Sequence, residues 1–346
     1  MIIYFALVLL ILILNYLRIN SRISTSKCIN ILCLVFIIIT GLRNPSVGAD
    51  SYVYLDMFES ATHVSLSEYS ISHRDIGFSL LVWVVMNIGG NFTVISLLVA
   101  SAFYIPFFKL LKRYSTDPGL SVLILMAFTF FQFTMTGMRQ TAALGFTFLF
   151  LDELFTGNRK WFKTLLWFVL AYLFHKSSVV ILFYPLIQYL TNKGTGYKIF
   201  YLLIPIMFLL RSQIVGICLP LLQSEGFDFN MDERGGGITT FLVFAVLFLY
   251  GAIVKKNRFS IISSFDIGLM AVIVSLQSLV YENSLLFRGV WYFSFYICIF
   301  IPKLIQSSYW QERRLIGICV YVAILFMYFG LTMGSAHVLP YKFFWQ

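Results

Sequence analysis

The chain is a succession of apolar runs separated by short polar turns. The runs cover roughly 1–17, 28–42, 78–111, 119–136, 137–155, 164–190, 199–222, 238–254, 262–280, 288–305 and 315–332. Several reach the ~18–20 residues that carry an α-helix across a bilayer. The pattern predicts an all-α polytopic integral membrane protein with about 11–13 transmembrane or partly embedded helices. Run 78–111 is too long for one upright helix, and Gly89-Gly90-Asn91 is expected to divide it into a short embedded piece and a crossing helix. Run 164–190 is broken near His175-Lys176-Ser177 and is read as two short helices that turn back at the outer side. Run 1–17 has no basic n-region and no small-residue cleavage site, so it is read as the first helix and not as a signal peptide. No internal repeat, low-complexity tract or extramembrane domain is visible. The reading is one transmembrane domain, 1–346, whose outer loops 43–76 and 223–237 contribute to an outward-facing cavity.

Composition turns the charge into a question of sides. The chain is 60% hydrophobic with a net charge of +10, so its basic residues report on membrane orientation and not on nucleic acid. With Met1 outside, the dense clusters Arg18/Arg22/Lys27, Lys109/Lys112/Arg113, Arg159/Lys160/Lys163, Lys193/Lys198, Lys255/Lys256/Arg258 and Lys303/Arg313/Arg314 all fall on the cytoplasmic side. They hold 17 of the 25 basic residues, and ten of the 15 acids fall on the other side. The positive-inside rule selects this orientation. Cys28, Cys33, Cys218, Cys298 and Cys319 are odd in number and lie in apolar segments, so their role is packing and not disulfide formation.

Eight basic residues are left outside or within the membrane: Arg43, Arg74, Arg139, Lys176, Arg211, Arg234, Arg288 and Lys342. Cations within a membrane helix cost several kcal/mol unless paired or wetted. Arg74 beside Asp75 and Arg234 beside Glu233 read as local ion pairs; Lys342 reads as incidental. Arg139 and Arg288 each lie near the outer N-terminus of a descending helix, where the backbone dipole disfavours a cation and an anionic ligand reverses that cost. No acid is near Arg139 in sequence, and only Glu282 is near Arg288. Arg211, in Leu209-Leu210-Arg211-Ser212, is read as lying mid-helix. His175 is the only histidine within an apolar run. As a bend histidine it is either hydrogen-bonded structure or a cavity-lining base. In the first outer loop, Arg43 and Asp50 form an ion pair across a turn or contact a sugar or phosphate, with Asp50 as a general base and Tyr52 and Tyr54 as stacking faces for sugar rings. No metalloprotease, Walker, nucleophile-elbow or DxD pattern stands in a usable context, and the inner loops are too short for an ATP-binding domain. A preactivated substrate on the outer face, with no cofactor and no metal, fits these absences.

Arg43 to Tyr54 (R…G-x-D-x-x-x-Y), Gly77-Phe78, Met138-Arg139-Gln140-Thr141-Ala142 and Ala171-Tyr172-Leu173-Phe174-His175-Lys176-Ser177 together resemble the EpsG-like/Wzy group of polysaccharide polymerases, in order and spacing over about residues 40–190. The Arg288…Tyr292-Phe293 segment looks like the C-terminal part of that group. The resemblance implies a multi-pass protein of a bacterial inner membrane whose site faces the periplasm or exterior. Such a protein moves a growing glycan from undecaprenyl diphosphate onto a lipid-linked repeat unit, for O-antigen or exopolysaccharide. Its partners are then the lipid-linked donor and acceptor, and a chain-length regulator in the membrane. On that implication Arg139 and Arg288 hold the diphosphate, with Arg43 third. Gln140, Tyr52, Tyr54 and Arg211 join the substrate-binding set, and His175 or Asp50 deprotonates the attacking sugar hydroxyl. The competing readings are a lipid-linked oligosaccharide flippase and a membrane O-acyltransferase with His175 as base.

Overall fold

The computed structural model describes residues 1–72, 75–156, 160–192, 198–224, 237–283 and 286–346. Arg74, Arg159, Lys193, Arg234 and nearly all of the loop 223–237, with its four acids, lie outside them. Among the described residues there are eighteen α-helices and no strand, only an isolated bridge between Arg43 and Phe343. Two compact units form, Met1–Val179 with Gly317–Gln346, and Val180–Ile316.

The first unit begins with α1 (Ile2–Ile19), α2 (Thr25–Gly41) and the short helices α3 (Ser51–Ser60) and α4 (Leu66–Ser72). Then the long apolar run divides as its glycines demand. Helix α5 (Ile76–Asn87) ends at Gly89, whose φ is +86°, and α6 (Phe92–Tyr114) starts with the Asn91 side chain accepting from Val94 N–H at 3.1 Å. At 1.5 Å per residue α6 is about 35 Å long and spans a bilayer, whereas the 12 residues of α5 reach only about 18 Å. The far end of α5 meets the turn between α3 and α4, where Trp83 donates to the Val64 carbonyl and Asn87 to the Ala61 carbonyl.

Run 119–136 is not one helix. It breaks at Thr129, whose φ is +62°, into α7 (Pro118–Ala127) and α8 (Phe130–Thr134), and α9 (Met138–Phe155) follows. Helix α10 (Trp161–Phe174) stops at His175, where the backbone turns extended, and a 3-10 turn (Lys176–Leu182) follows. An aromatic core of Phe36, Tyr104, Phe107, Phe131 and Phe148 fills the space between α2, α6, α8 and α9. Its single hydroxyl is satisfied, because Tyr104 bridges Thr40 at 3.1 Å and Thr134 at 2.8 Å.

The two ends of this unit differ in charge. At one end Lys112 donates to Ser26, Arg18 pairs with Asp117 at 3.0 Å, and Lys109 and Arg113 both grip Asp152 near the C-terminus of α9. These tie three of the basic-rich turns together. The N-terminus of α9, with Arg139, lies a helix length away at the other end.

In the second unit come α11 (Phe183–Thr191), α12 (Ile199–Leu209), α13 (Arg211–Ser224), α14 (Ile238–Val254), α15 (Ser264–Val280), α16 (Phe287–Ser294) and α17 (Ile297–Ser307). Helix α18 (Trp310–Met327) carries the chain back into the first unit. Runs 199–222 and 288–305 are each broken: α12 and α13 meet at 79°, α16 and α17 at 44°. Three helices, Ile2–Ile19, Phe92–Tyr114 and Glu312–Thr332, are long and apolar enough to cross a membrane alone, and the two bent pairs raise the number to five. Thr25–Gly41, Ile238–Val254 and Ser264–Val280 are apolar but one residue short of that length. This is an all-α polytopic membrane fold.

Candidate active site

The strongest polar constellation gathers on Asp75, a residue the sequence reading paired only with Arg74. Asp75 precedes the first turn of α5, the position where an aspartate usually accepts from its own helix N–H groups. It makes no such bond. Its Oδ2 accepts from Arg139 Nη1 at 3.1 Å and faces His175 Nδ1 at 3.2 Å, and its Oδ1 accepts from the backbone N–H of Lys176 at 3.3 Å. The carboxylate is 4% exposed. Burial works against its charge, but the hydrogen bond from His175, the Arg139 guanidinium and the Lys176 N–H outweigh burial and hold the carboxyl below its usual range.

Each partner reaches Asp75 for a local reason. Arg139 is the second residue of α9, and Gly137 before it offers no side-chain cap. His175 ends α10, its N–H still bonded to the Ala171 carbonyl while its own φ of −162° leaves the helix. Gly77 lets α5 press on that end of α10, since a Cβ there would stand 3.0 Å from Leu173 and Phe174. The Gly77-Phe78 pair thus sets the approach of Asp75 to His175.

The chemistry of the ring follows from the carboxylate. An ionised Asp75 only accepts, so Nδ1 of His175 carries a proton, and in the neutral ring Nε2 bears the lone pair. Nε2 is buried and has no hydrogen-bond partner among the described residues. A neutral imidazole aligned by a carboxylate, with its other nitrogen open, is the arrangement of a general base. Arg139 supplies a cation at a helix N-terminus, 35% exposed at its side chain and 6.0 Å above the Tyr54 ring. Among the described residues no three His, Cys, Asp or Glu side chains converge as a metal-binding group.

The other candidates are dispersed. Arg43 is 1% exposed and forms no ion pair with Asp50 or any other acid among the described residues. It donates to the Thr40 carbonyl at 2.6 Å and the Val47 carbonyl at 3.3 Å, closing the C-terminal end of α2, and stacks on Phe92. Burial lowers its guanidinium to about 10, with Tyr341, Tyr104, Tyr54 and Tyr4 pulling the other way, so it stays charged at neutral pH. The loop around it is zipped to the C-terminal segment: Asn44 N–H bonds to Lys342, Gly48 to His337, Ala49 to Ala336, and Phe344 to Leu42. Gly48, with φ +110° and the Met135 carbonyl against it, admits no side chain. In this structure, therefore, the R…G-x-D segment is tied by its backbone to the C-terminal segment.

Tyr54 is no open stacking face. It is 7% exposed, packs on Phe58 and Phe78, and turns its hydroxyl to the Arg139 N–H at 3.5 Å. Tyr52 is 59% exposed on α3, Asp50 is exposed at the start of that helix, and Gln140 is buried on α9. Arg211 is not mid-helix but opens α13 at the 79° bend, because Leu210 ends α12. It pairs with Glu282 at 2.7 Å and lies over Phe208 and Tyr281. Arg288 is the second residue of α16 in the second unit. Of the cysteines, Cys28 and Cys298 are buried, Cys33 and Cys218 half-buried, and Cys319 exposed; all are free.

Fold and site define a polytopic helical membrane protein with a carboxylate-aligned histidine beside an arginine at a helix N-terminus. Residues 26–343 match the EpsG family, and the chain belongs to it. No curated protein and no solved structure matches it.

Proposed function

We propose that this protein is a polysaccharide polymerase that transfers a growing undecaprenyl-diphosphate-linked glycan onto a lipid-linked repeat unit at the outer face of a bacterial inner membrane. EpsG is a polysaccharide polymerase-like family, which supports the class of reaction. The observation that carries the reading is the joining of His175 and Arg139 through Asp75, at the end of the first unit remote from its basic clusters. On this reading His175 Nε2 takes the proton of the acceptor hydroxyl. The acceptor oxygen bonds to the anomeric carbon of the donor glycan, and the bond from that carbon to the diphosphate oxygen breaks with its electron pair. The Arg139 guanidinium, at the N-terminus of α9, stabilises the departing diphosphate. The test is the length of lipid-linked glycan in cells lacking the protein. A polymerase predicts outward-facing units that stay single. Loss of the outward-facing unit itself indicates a flippase and overturns the reading.

A further inference from the structure

A cavity lined by cations lies in the second unit, among residues that the proposed reaction does not use. It has a volume of about 1130 Å³ and opens between the turn after α14 and the junction of α17 with α18. Lys256, Arg258 and Arg313 line it with one acid, Glu312. Lys256 and Arg258 form no ion pair among the described residues, and the Arg258 guanidinium rests on the Phe259 ring at 5.1 Å. The walls are fixed before any ligand arrives. Asn257 donates to the Ser307 carbonyl at 2.9 Å, Ile261 N–H to the Ser307 hydroxyl at 3.0 Å, and Tyr250 meets the Ser308 hydroxyl at 2.9 Å.

Two features say what kind of anion fits. Phe259 and Tyr309 line the same cavity and are 70% and 58% exposed, so apolar surface stands beside the cations. Leu242, Val246, Leu249 and Ile253 form an exposed apolar stripe along α14 at the i, i+4, i+7, i+11 spacing of one helix face. Continued by three or four residues, that face arrives at Lys256 and Asn257, the mouth of the cavity. A soluble anion has no use for the stripe. A phospholipid uses both parts, with an acyl chain along α14 and its phosphate among the cations.

We infer that the cavity bounded by Lys256, Arg258 and Arg313 binds the headgroup of an anionic phospholipid whose acyl chain follows the exposed face of α14. Exposed cations in such sites contribute roughly fivefold each to affinity for anionic lipid. The test uses the full chain purified in detergent and titrated with dioleoyl phosphatidylglycerol, dioleoyl phosphatidylcholine or inorganic phosphate. Bound lipid is counted by native mass spectrometry. Phosphatidylglycerol should be retained in preference to phosphatidylcholine, and Lys256→Ala with Arg258→Ala should weaken that retention by about 25-fold. Both side chains lie on a turn whose fold is held by Asn257 and Ser307, so the melting temperature without added lipid should match wild type and certify folding. A third variant, Val246→Asn, should weaken phosphatidylglycerol while leaving the weak binding of inorganic phosphate unchanged. Equal retention of the two lipids by wild type overturns the inference, as does wild-type retention by the folded double variant. Displacement of phosphatidylglycerol by equimolar inorganic phosphate assigns the cavity to a soluble anion and equally overturns it.

Discussion

Replacing Asp75 by asparagine isolates what the carboxylate contributes, because the shape stays and the charge leaves. Three donors converge on it: Arg139 at 3.1 Å, His175 at 3.2 Å and the Lys176 N–H at 3.3 Å. The Arg139 side chain is 35% exposed, so its share is discounted to that of a solvent-screened pair, at most about 1 kcal/mol. The bonds from His175 and Lys176 are buried, and charge-assisted bonds of that kind contribute about 1.5–3 kcal/mol each, of which an amide oxygen recovers a part. A net destabilisation of about 1–3 kcal/mol follows, small enough for the protein to accumulate. The effect on activity is larger. Asparagine no longer dictates that Nδ1 holds the proton, and loss of an aligned general base costs about 10²–10⁴ in rate. Complemented deletion cells should then show single or very short lipid-linked units at normal protein level. The pH dependence supplies an independent check. The folded-state pKa of Asp75 lies below its ordinary value, so its stabilisation is complete above about pH 5 and is lost as pH falls through the lower folded value. The melting gap between wild type and Asp75→Asn in detergent should be level above about pH 5 and should close progressively below about pH 4. A full-length ladder from normally expressed Asp75→Asn protein would refute the assignment of this cluster to the chemistry.

Two other substitutions separate roles that the geometry joins. Arg139→Lys should lower polymerisation by about 10²–10³ with protein level unchanged, because an ammonium can hold Asp75 or a phosphate but cannot present a planar fork; wild-type ladders from this variant make Arg139 scaffold. His175→Ala should abolish chain extension while Asp50→Asn leaves it within about threefold of wild type; the reverse outcome moves the base to the exposed start of α3.

How far the sequence could be read depended on whether a feature is local. The break at His175, the division at Gly89-Gly90-Asn91 and the helix starts at Arg139 and Arg288 were legible, because an uncapped or glycine-rich stretch interrupts an apolar run within a few residues. The bend between α12 and α13 was not, since Leu209-Leu210 keeps the run apolar across a 79° turn and hydropathy carries no information about direction. The surroundings of Arg43 were hidden for a related reason. Its Nε and Nη1 donate to the backbone carbonyls of Val47 and Thr40, and carbonyls leave no mark on a sequence. Asp75 was hidden by distance, standing 64 residues from Arg139 and 100 from His175 while Arg74 beside it offered a ready partner. One clue was available: an aspartate immediately before an apolar helix that opens with Gly77.

The shared carboxylate also changes what Arg139 can do before substrate arrives. A lone guanidinium at a helix N-terminus is opposed by the backbone dipole and lacks a fixed direction. Asp75 removes both difficulties, offsetting the charge and holding the side chain through Nη1. The cost is weaker long-range attraction for an anion, since the pair is close to neutral. On the proposed reaction, recognition of a diphosphate would then come from short contacts made on arrival, where the guanidinium fork meets phosphate oxygens directly. In that proposed reaction, as negative charge collects on those oxygens in bond breaking, Arg139 would be drawn toward them and loosen its hold on Asp75. The carboxylate is then left with His175, whose gain of a proton it stabilises at the same moment. Cation and base are thus coupled through one residue. On that coupling the losses from Arg139→Ala and Asp75→Asn should not multiply in the double variant, because each alone already breaks the same link.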